Sequence, residues 1–97
     1  MEPTRDEIDS LRGLALLEFG ASWCGFCQAA RPVIDRALAG SSARHIQIED
    51  GKGKRLGRSF GVKLWPTLIV LRDGREVARF VRPHDGADLE AALHAAA

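Results

Sequence analysis

Leu17-Glu18-Phe19-Gly20-Ala21-Ser22-Trp23-Cys24-Gly25-Phe26-Cys27 passes from an apolar run, through a turn of small residues, into two cysteines separated by two positions. The run begins at Leu14, and Leu14-Ala15-Leu16-Leu17-Glu18-Phe19 is nearly continuous in apolar character, the pattern of a strand buried on both faces. Glu18 is the one acid inside it. Beyond the cysteines, Ala30, Val33, Ile34, Ala37 and Leu38 recur at helical spacing over residues 28–38, and Gly40 supplies a stop. Pro32 interrupts that helix. An internal proline costs about 3 kcal/mol and bends the backbone, so the residues leave open two short helices or one helix kinked at Pro32.

Upstream, Thr4-Arg5-Asp6-Glu7 has the form of a capping box and predicts a helix from about Arg5 to Leu11, ended by Gly13. Downstream, His45-Ile46-Gln47-Ile48-Glu49 alternates like a strand. Asp50-Gly51-Lys52-Gly53-Lys54-Arg55 is a basic loop without the spacing of a phosphate-binding loop. A short helix follows from Arg55 to Phe60, closed by Gly61. Leu68-Ile69-Val70-Leu71 and Glu76-Val77-Ala78-Arg79-Phe80-Val81 are strands joined by the hairpin signal Arg72-Asp73-Gly74-Arg75. Asp85 is placed to cap a last helix with Leu89, Ala92, Leu93 and Ala96 on one face. This order implies an α/β domain of three layers, a mixed sheet with helices on both faces.

The chemistry lies in the cysteine pair. Thiolate is the attacking form of cysteine, and a helix N-terminus favours the anion through its unpaired N–H groups and dipole. Cys24 stands at that exposed start, and Cys27 lies one turn inward, shielded but within reach of a disulfide. The spacing therefore makes Cys24 the nucleophile and Cys27 the resolving thiol of a dithiol–disulfide exchange. A zinc half-site shares the spacing, but His45, His84 and His94 are scattered without ligand spacing. A purely structural disulfide closing so short a loop would constrain little of the unfolded chain. Glu18 reads either as a desolvated acid with a raised pKa that exchanges protons with Cys27, or as a carboxylate that snorkels to the surface.

The bulk numbers bound the rest. The 97 residues fit one domain, 1–97, and 45% hydrophobic with 28% charged residues is ordinary for a globular chain. A net charge of +1 gives no electrostatic case for nucleic acid or a membrane surface. Residues 1–7 are acidic and polar rather than signal-like, and the apolar run Leu64 to Leu71 is far short of the ~20 residues that span a bilayer. The chain thus reads as cytoplasmic and monomeric. Two thiols in a reducing compartment more often mean chemistry than a structural staple.

The segment Leu17 to Cys27 with Pro32, together with Phe60-Gly61-Val62-Lys63-Leu64-Trp65-Pro66-Thr67-Leu68, resembles the thioredoxin family's active-site strand, loop and helix and its cis-proline stretch. The resemblance extends from about Leu14 onward. It implies one bent helix at Pro32, a cis Pro66 beside the cysteines, and a Trp65 backbone that pairs with a bound substrate strand. It implies a redox-active Cys24–Cys27 disulfide with no other cofactor or metal, protein disulfides as substrates, and a reductase that recycles the dithiol.

Four departures stand out. There is no room before Thr4 for the family's first strand, so a four-stranded sheet is expected. Phe26 replaces a proline, which leaves the redox poise open. Glu18 stands for a buried Asp, with His45 in place of a Lys. Arg82-Pro83 replaces a glycine of the docking surface, which here comprises Trp23, Gly25, Phe26, Trp65, Pro66 and Arg82. Trp65 either anchors partners there or folds into the core. The implied activity is reduction of protein disulfides. The alternatives are an extracytoplasmic oxidase or isomerase, and a non-catalytic module of the same fold that binds a partner.

Overall fold

Alternate residues of the apolar run Leu14–Phe19 feed two different cores, and this decides the layers. In the computed structural model, which describes residues 2–97, that run lies within β1 (Leu14–Gly20). The other elements are α1 (Arg5–Asp9), α2 (Gly25–Ala39), β2 (Arg44–Glu49), α3 (Arg55–Ser59), β3 (Thr67–Arg72), β4 (Arg75–Val81) and α4 (Ala87–Ala96). The sheet order is β2-β1-β3-β4, with β2 parallel to β1 and the other neighbours antiparallel.

Ala15, Leu17 and Phe19 face one way, with Ile69 and Leu71, onto Ile8 of α1 and Leu56 and Phe60 around α3. Leu14 and Leu16 face the other way, with Leu68 and Val70, onto Ala30, Ile34 and Ala37 of α2 and Leu89 and Leu93 of α4. Period-two alternation in a central strand covered on both sides thus builds the three-layer sandwich. Ala92 and Ala96 pack on the same core as Leu89 and Leu93, as their shared helical face requires.

The boundaries differ from expectation in small, explicable ways. The capping box forms, but α1 ends at Asp9 rather than Leu11, because the Ser10 N–H and Oγ both bond the Asp6 carbonyl and the Leu11 N–H turns back to Ile8. Residues on both sides of Pro32 form one helix, α2. Asp85 is not the N-cap of α4; Gly86 is, and Asp85 reaches past it to accept from the Ala87 N–H at 2.9 Å.

The hairpin between β3 and β4 turns through Asp73 at φ 52° and Gly74 at φ 80°, the pair of left-handed residues that a tight primed turn needs. A β-carbon on Gly74 would lie 2.1 Å from the Asp9 carbonyl oxygen. Asp73 also latches onto the entry to β1. Its N–H donates to the Gly13 carbonyl at 2.9 Å, and its Oδ1 accepts from the Gly13 N–H at 2.8 Å.

Candidate functional site

Both cysteines lie where β1 hands over to α2, at the opposite end of the sheet from the Gly13–Asp73 latch. The Cys24 N–H bonds the Ala21 carbonyl at 3.0 Å, and the Ser22 N–H is held by the Glu49 carboxylate at the end of β2. This closes the turn and sets Cys24 as the N-cap of α2, where its Sγ accepts from the Cys27 N–H at 3.2 Å. A thiol is occupying the place usually taken by a serine or aspartate oxygen. Both cysteines are free thiols here. Gly20 lies under the pair, and a β-carbon there would sit 2.8 Å from the Cys27 Sγ.

Cys24 is not the open residue that its position suggested. It is 6% exposed and Cys27 9%, because Ala21 and the Trp65 side chain pack over the pair. Electrostatics, rather than accessibility, separates them. Burial works against the Cys24 anion, but hydrogen bonds from the Cys27 thiol and the N–H groups of Cys27 and Phe26, with the Arg82 charge, hold it below the ordinary cysteine value. Burial and the neighbouring Cys24 push Cys27 up to about 11, and the Glu18 charge adds to the rise.

Glu18 corrects the sequence reading. It is buried, 6% exposed, and does not snorkel to the surface. Nor is it a raised, neutral acid. Burial opposes its ionisation, but the His45 hydrogen bond and the Arg31 charge outweigh burial and lower its pKa. His45 Nε2 lies 2.7 Å from Oε1, and the Arg31 guanidinium pairs with Oε2. The expectation failed because desolvation was weighed without the partners that β2 and α2 bring across the gap. A cleft of about 520 Å³ opens between these groups, lined by Glu18, Gly20, Cys27, Arg31 and Glu49 among others.

The docking residues do gather at this end, in unequal exposure. Trp23 and Phe26 are 71% and 58% exposed, Gly25 is exposed, Pro66 is buried, and Trp65 and Arg82 are half-buried. The Trp65–Pro66 bond is cis. Trp65 stands edge-on to Trp23, with ring centroids 5.4 Å apart, and its Nε1 donates to Asp50 Oδ2 at 2.9 Å. It is neither a free anchor nor a core residue. Arg82 Nε donates to the Trp65 carbonyl at 2.8 Å, so one of that carbonyl's two acceptor positions is already engaged.

Sequence reasoning missed Arg31, Glu49 and Asp50. Only Arg31 carried a signal, four residues beyond Cys27 and so on the same helical face. Among the described residues, no cluster of three or more His, Cys, Asp or Glu side chains is placed to hold a metal, and no helix is long and apolar enough to cross a membrane.

The thioredoxin family model matches residues 4–95. A thioredoxin of Chlamydia muridarum is 39% identical over 71 residues, which is 71% of this chain and 69% of that protein. A thioredoxin of Listeria monocytogenes is 30% identical over 86 residues, 84% of each. Among solved structures, reduced thioredoxin 2 of Pseudomonas aeruginosa superposes with a TM-score of 0.84 at 54% identity, covering 96% of this chain and 87% of that one.

Proposed function

This chain belongs to the thioredoxin family of thiol–disulfide oxidoreductases, and from that premise we propose that it is a cytoplasmic, monomeric protein-disulfide reductase working through Cys24 and Cys27. The observation that carries the reading is the N-cap position of Cys24. Its sulfur already accepts a backbone N–H, and the same donors stabilise its thiolate while Cys27, one turn inward, stays protonated.

The Cys24 thiolate attacks one sulfur of a substrate disulfide, forming a Cys24–substrate bond and releasing the other substrate sulfur as a thiolate that takes up a proton. Cys27 then gives its proton to solvent and, as a thiolate, attacks the Cys24 sulfur. The Cys24–Cys27 bond forms, the Cys24–substrate bond breaks, and the second substrate sulfur leaves as a thiolate that takes up a proton. Two electrons pass from the dithiol to the substrate, and a separate reductase returns them. Glu18, ionised beside Arg31 and His45, keeps negative charge near Cys27 and so favours its protonated form.

The test combines trapping with a potential. Cys27→Ser should accumulate a mixed disulfide through Cys24 with a protein disulfide, and Cys24→Ser should accumulate none. Equilibration against glutathione buffers should place the pair near −270 mV, as in a reductase; a value approaching about −120 mV would instead make it an oxidase.

A further inference from the structure

Arg82 is held in an unusual way. Its φ is 51°, in the left-handed region that a residue with a side chain adopts only at a cost. Backbone strain of this kind persists only where surrounding contacts fix it, and it concentrates at functional sites. The contacts here are specific. The Arg82 N–H donates to the Pro66 carbonyl at 3.0 Å, Nε donates to the Trp65 carbonyl at 2.8 Å, and the guanidinium carbon lies 3.8 Å from the centroid of the Phe26 ring.

Among the described residues, Arg5, Arg31 and Arg79 each meet a carboxylate and the other eight arginines do not; of those eight, Arg82 is fixed beside the cysteines by the Trp65 carbonyl and the Phe26 ring. The terminal nitrogens of Arg82 meet no acceptor among the described residues, although the charge lies close enough to Cys24 to favour its thiolate. The Trp65 N–H likewise donates to no group among the described residues.

We propose that Arg82 is a carboxylate receptor that selects peptide disulfides carrying an acidic residue beside the sulfur that Cys24 attacks; this rests on the reading of Cys24 as the attacking thiol. With Nε committed to Trp65, the end-on edge of the guanidinium presents two parallel N–H donors, a geometry that matches one carboxylate. Stacking on Phe26 fixes the fork in advance, so little side-chain freedom is lost on binding. The Phe26 ring covers one face of the guanidinium and partly shields the contact from water. A basic residue in the same substrate position meets like charge and is disfavoured. The Trp65 carbonyl already accepts from Arg82, and the side-chain pair adds to a docked strand's backbone contacts one that depends on substrate sequence.

The experiment uses the reduced full chain and two peptide disulfides identical except for Asp or Asn beside one reactive cysteine. Bimolecular rate constants are divided by those for dithiothreitol, which corrects for the intrinsic reactivity of each peptide. The Asp peptide should react about fivefold faster at low salt, with the preference falling at high salt. Arg82→Gln, and Arg82→Gly as a variant relieved of backbone strain, should both bring the ratio to about one; Arg82→Lys should keep part of it. Equal rates for the two peptides on the native chain, or a preference that survives in the Gln and Gly variants, overturn the assignment while leaving thiol exchange intact. Failure of both peptides to react overturns the exchange reading itself. A preference for oxidised glutathione over hydroxyethyl disulfide without any Asp preference would assign the carboxylate site to a small thiol and also overturn it.

Discussion

Trp65 Nε1 and Asp50 Oδ2 lie 2.9 Å apart, which ties the residue before the cis peptide bond to the end of β2. Asp50 is itself confined, because a β-carbon on Gly57 of α3 would fall 2.3 Å from its Oδ1. The indole is therefore positioned by the scaffold and not by the loop that carries it. Asp50→Ala should free it at a cost of about 1 kcal/mol in stability, since one hydrogen bond is lost at a half-buried site. In a Trp23→Phe background Trp65 is the sole indole, and its fluorescence should become more readily quenched by acrylamide.

Reactivity of the two thiols should diverge with pH. Alkylation of the reduced protein, followed by peptide mapping, should label Cys24 with a midpoint below the ordinary cysteine value, while Cys27 responds only near 11. Labelling of Cys27 ahead of Cys24 at neutral pH would reverse the assigned roles.

Glu18→Gln should destabilise the fold by about 1–2 kcal/mol at neutral pH, because it removes the charge that Arg31 neutralises and that His45 hydrogen-bonds. The folded pKa of Glu18 is depressed, so its contribution is fully present above the unfolded value and is lost as pH falls through the folded one. Urea titrations of both proteins at pH 7 and pH 3 should therefore show a gap that closes in acid. A Gln variant more stable than the native chain at pH 7 would mean that the carboxylate is strained rather than paired.

Gly20→Ala should act on the second step of exchange more than on the first. The added methyl meets the Cys27 Sγ at 2.8 Å and displaces the thiol that must reach Cys24. Resolution of a preformed mixed disulfide should slow about tenfold or more, since displacements near 1 Å are costly to aligned reactions. Stopped-flow release of the second substrate thiol reads this directly, with attack by Cys24 as the internal comparison.

The architecture was legible because it depends on local signals: the period of Leu14–Phe19, the Asp73-Gly74 turn, the spacing of Leu89 and Leu93. The cysteine pair was legible for the same reason. What escaped was set by residues far apart in the chain. Nothing local announces that Arg31 and His45 converge on Glu18, and without them burial alone gives the wrong sign for its pKa. Asp50 and Trp65 meet only because β2 ends beside the loop before β3. Arg82 was recognised as a departure from the family pattern, but not its grip on Trp65, which depends on a left-handed backbone that a sequence does not print.

The reciprocal bonds between Gly13 and Asp73 have a consequence for how the molecule breathes. They close the sheet at the end remote from the thiols, where the turn also presses against α1. At the thiol end, the loops are held by a few turn bonds such as Cys24 N–H to Ala21 and by side-chain bonds from Glu49, Asp50 and Arg82, beneath exposed aromatic rings. Local opening thus has a polarity. Amide protons of the central strands at the latched end should exchange with solvent only through global unfolding, while those around residues 22–26 and 62–65 should exchange through small fluctuations. Motion at the thiol end would then leave the core behind it closed.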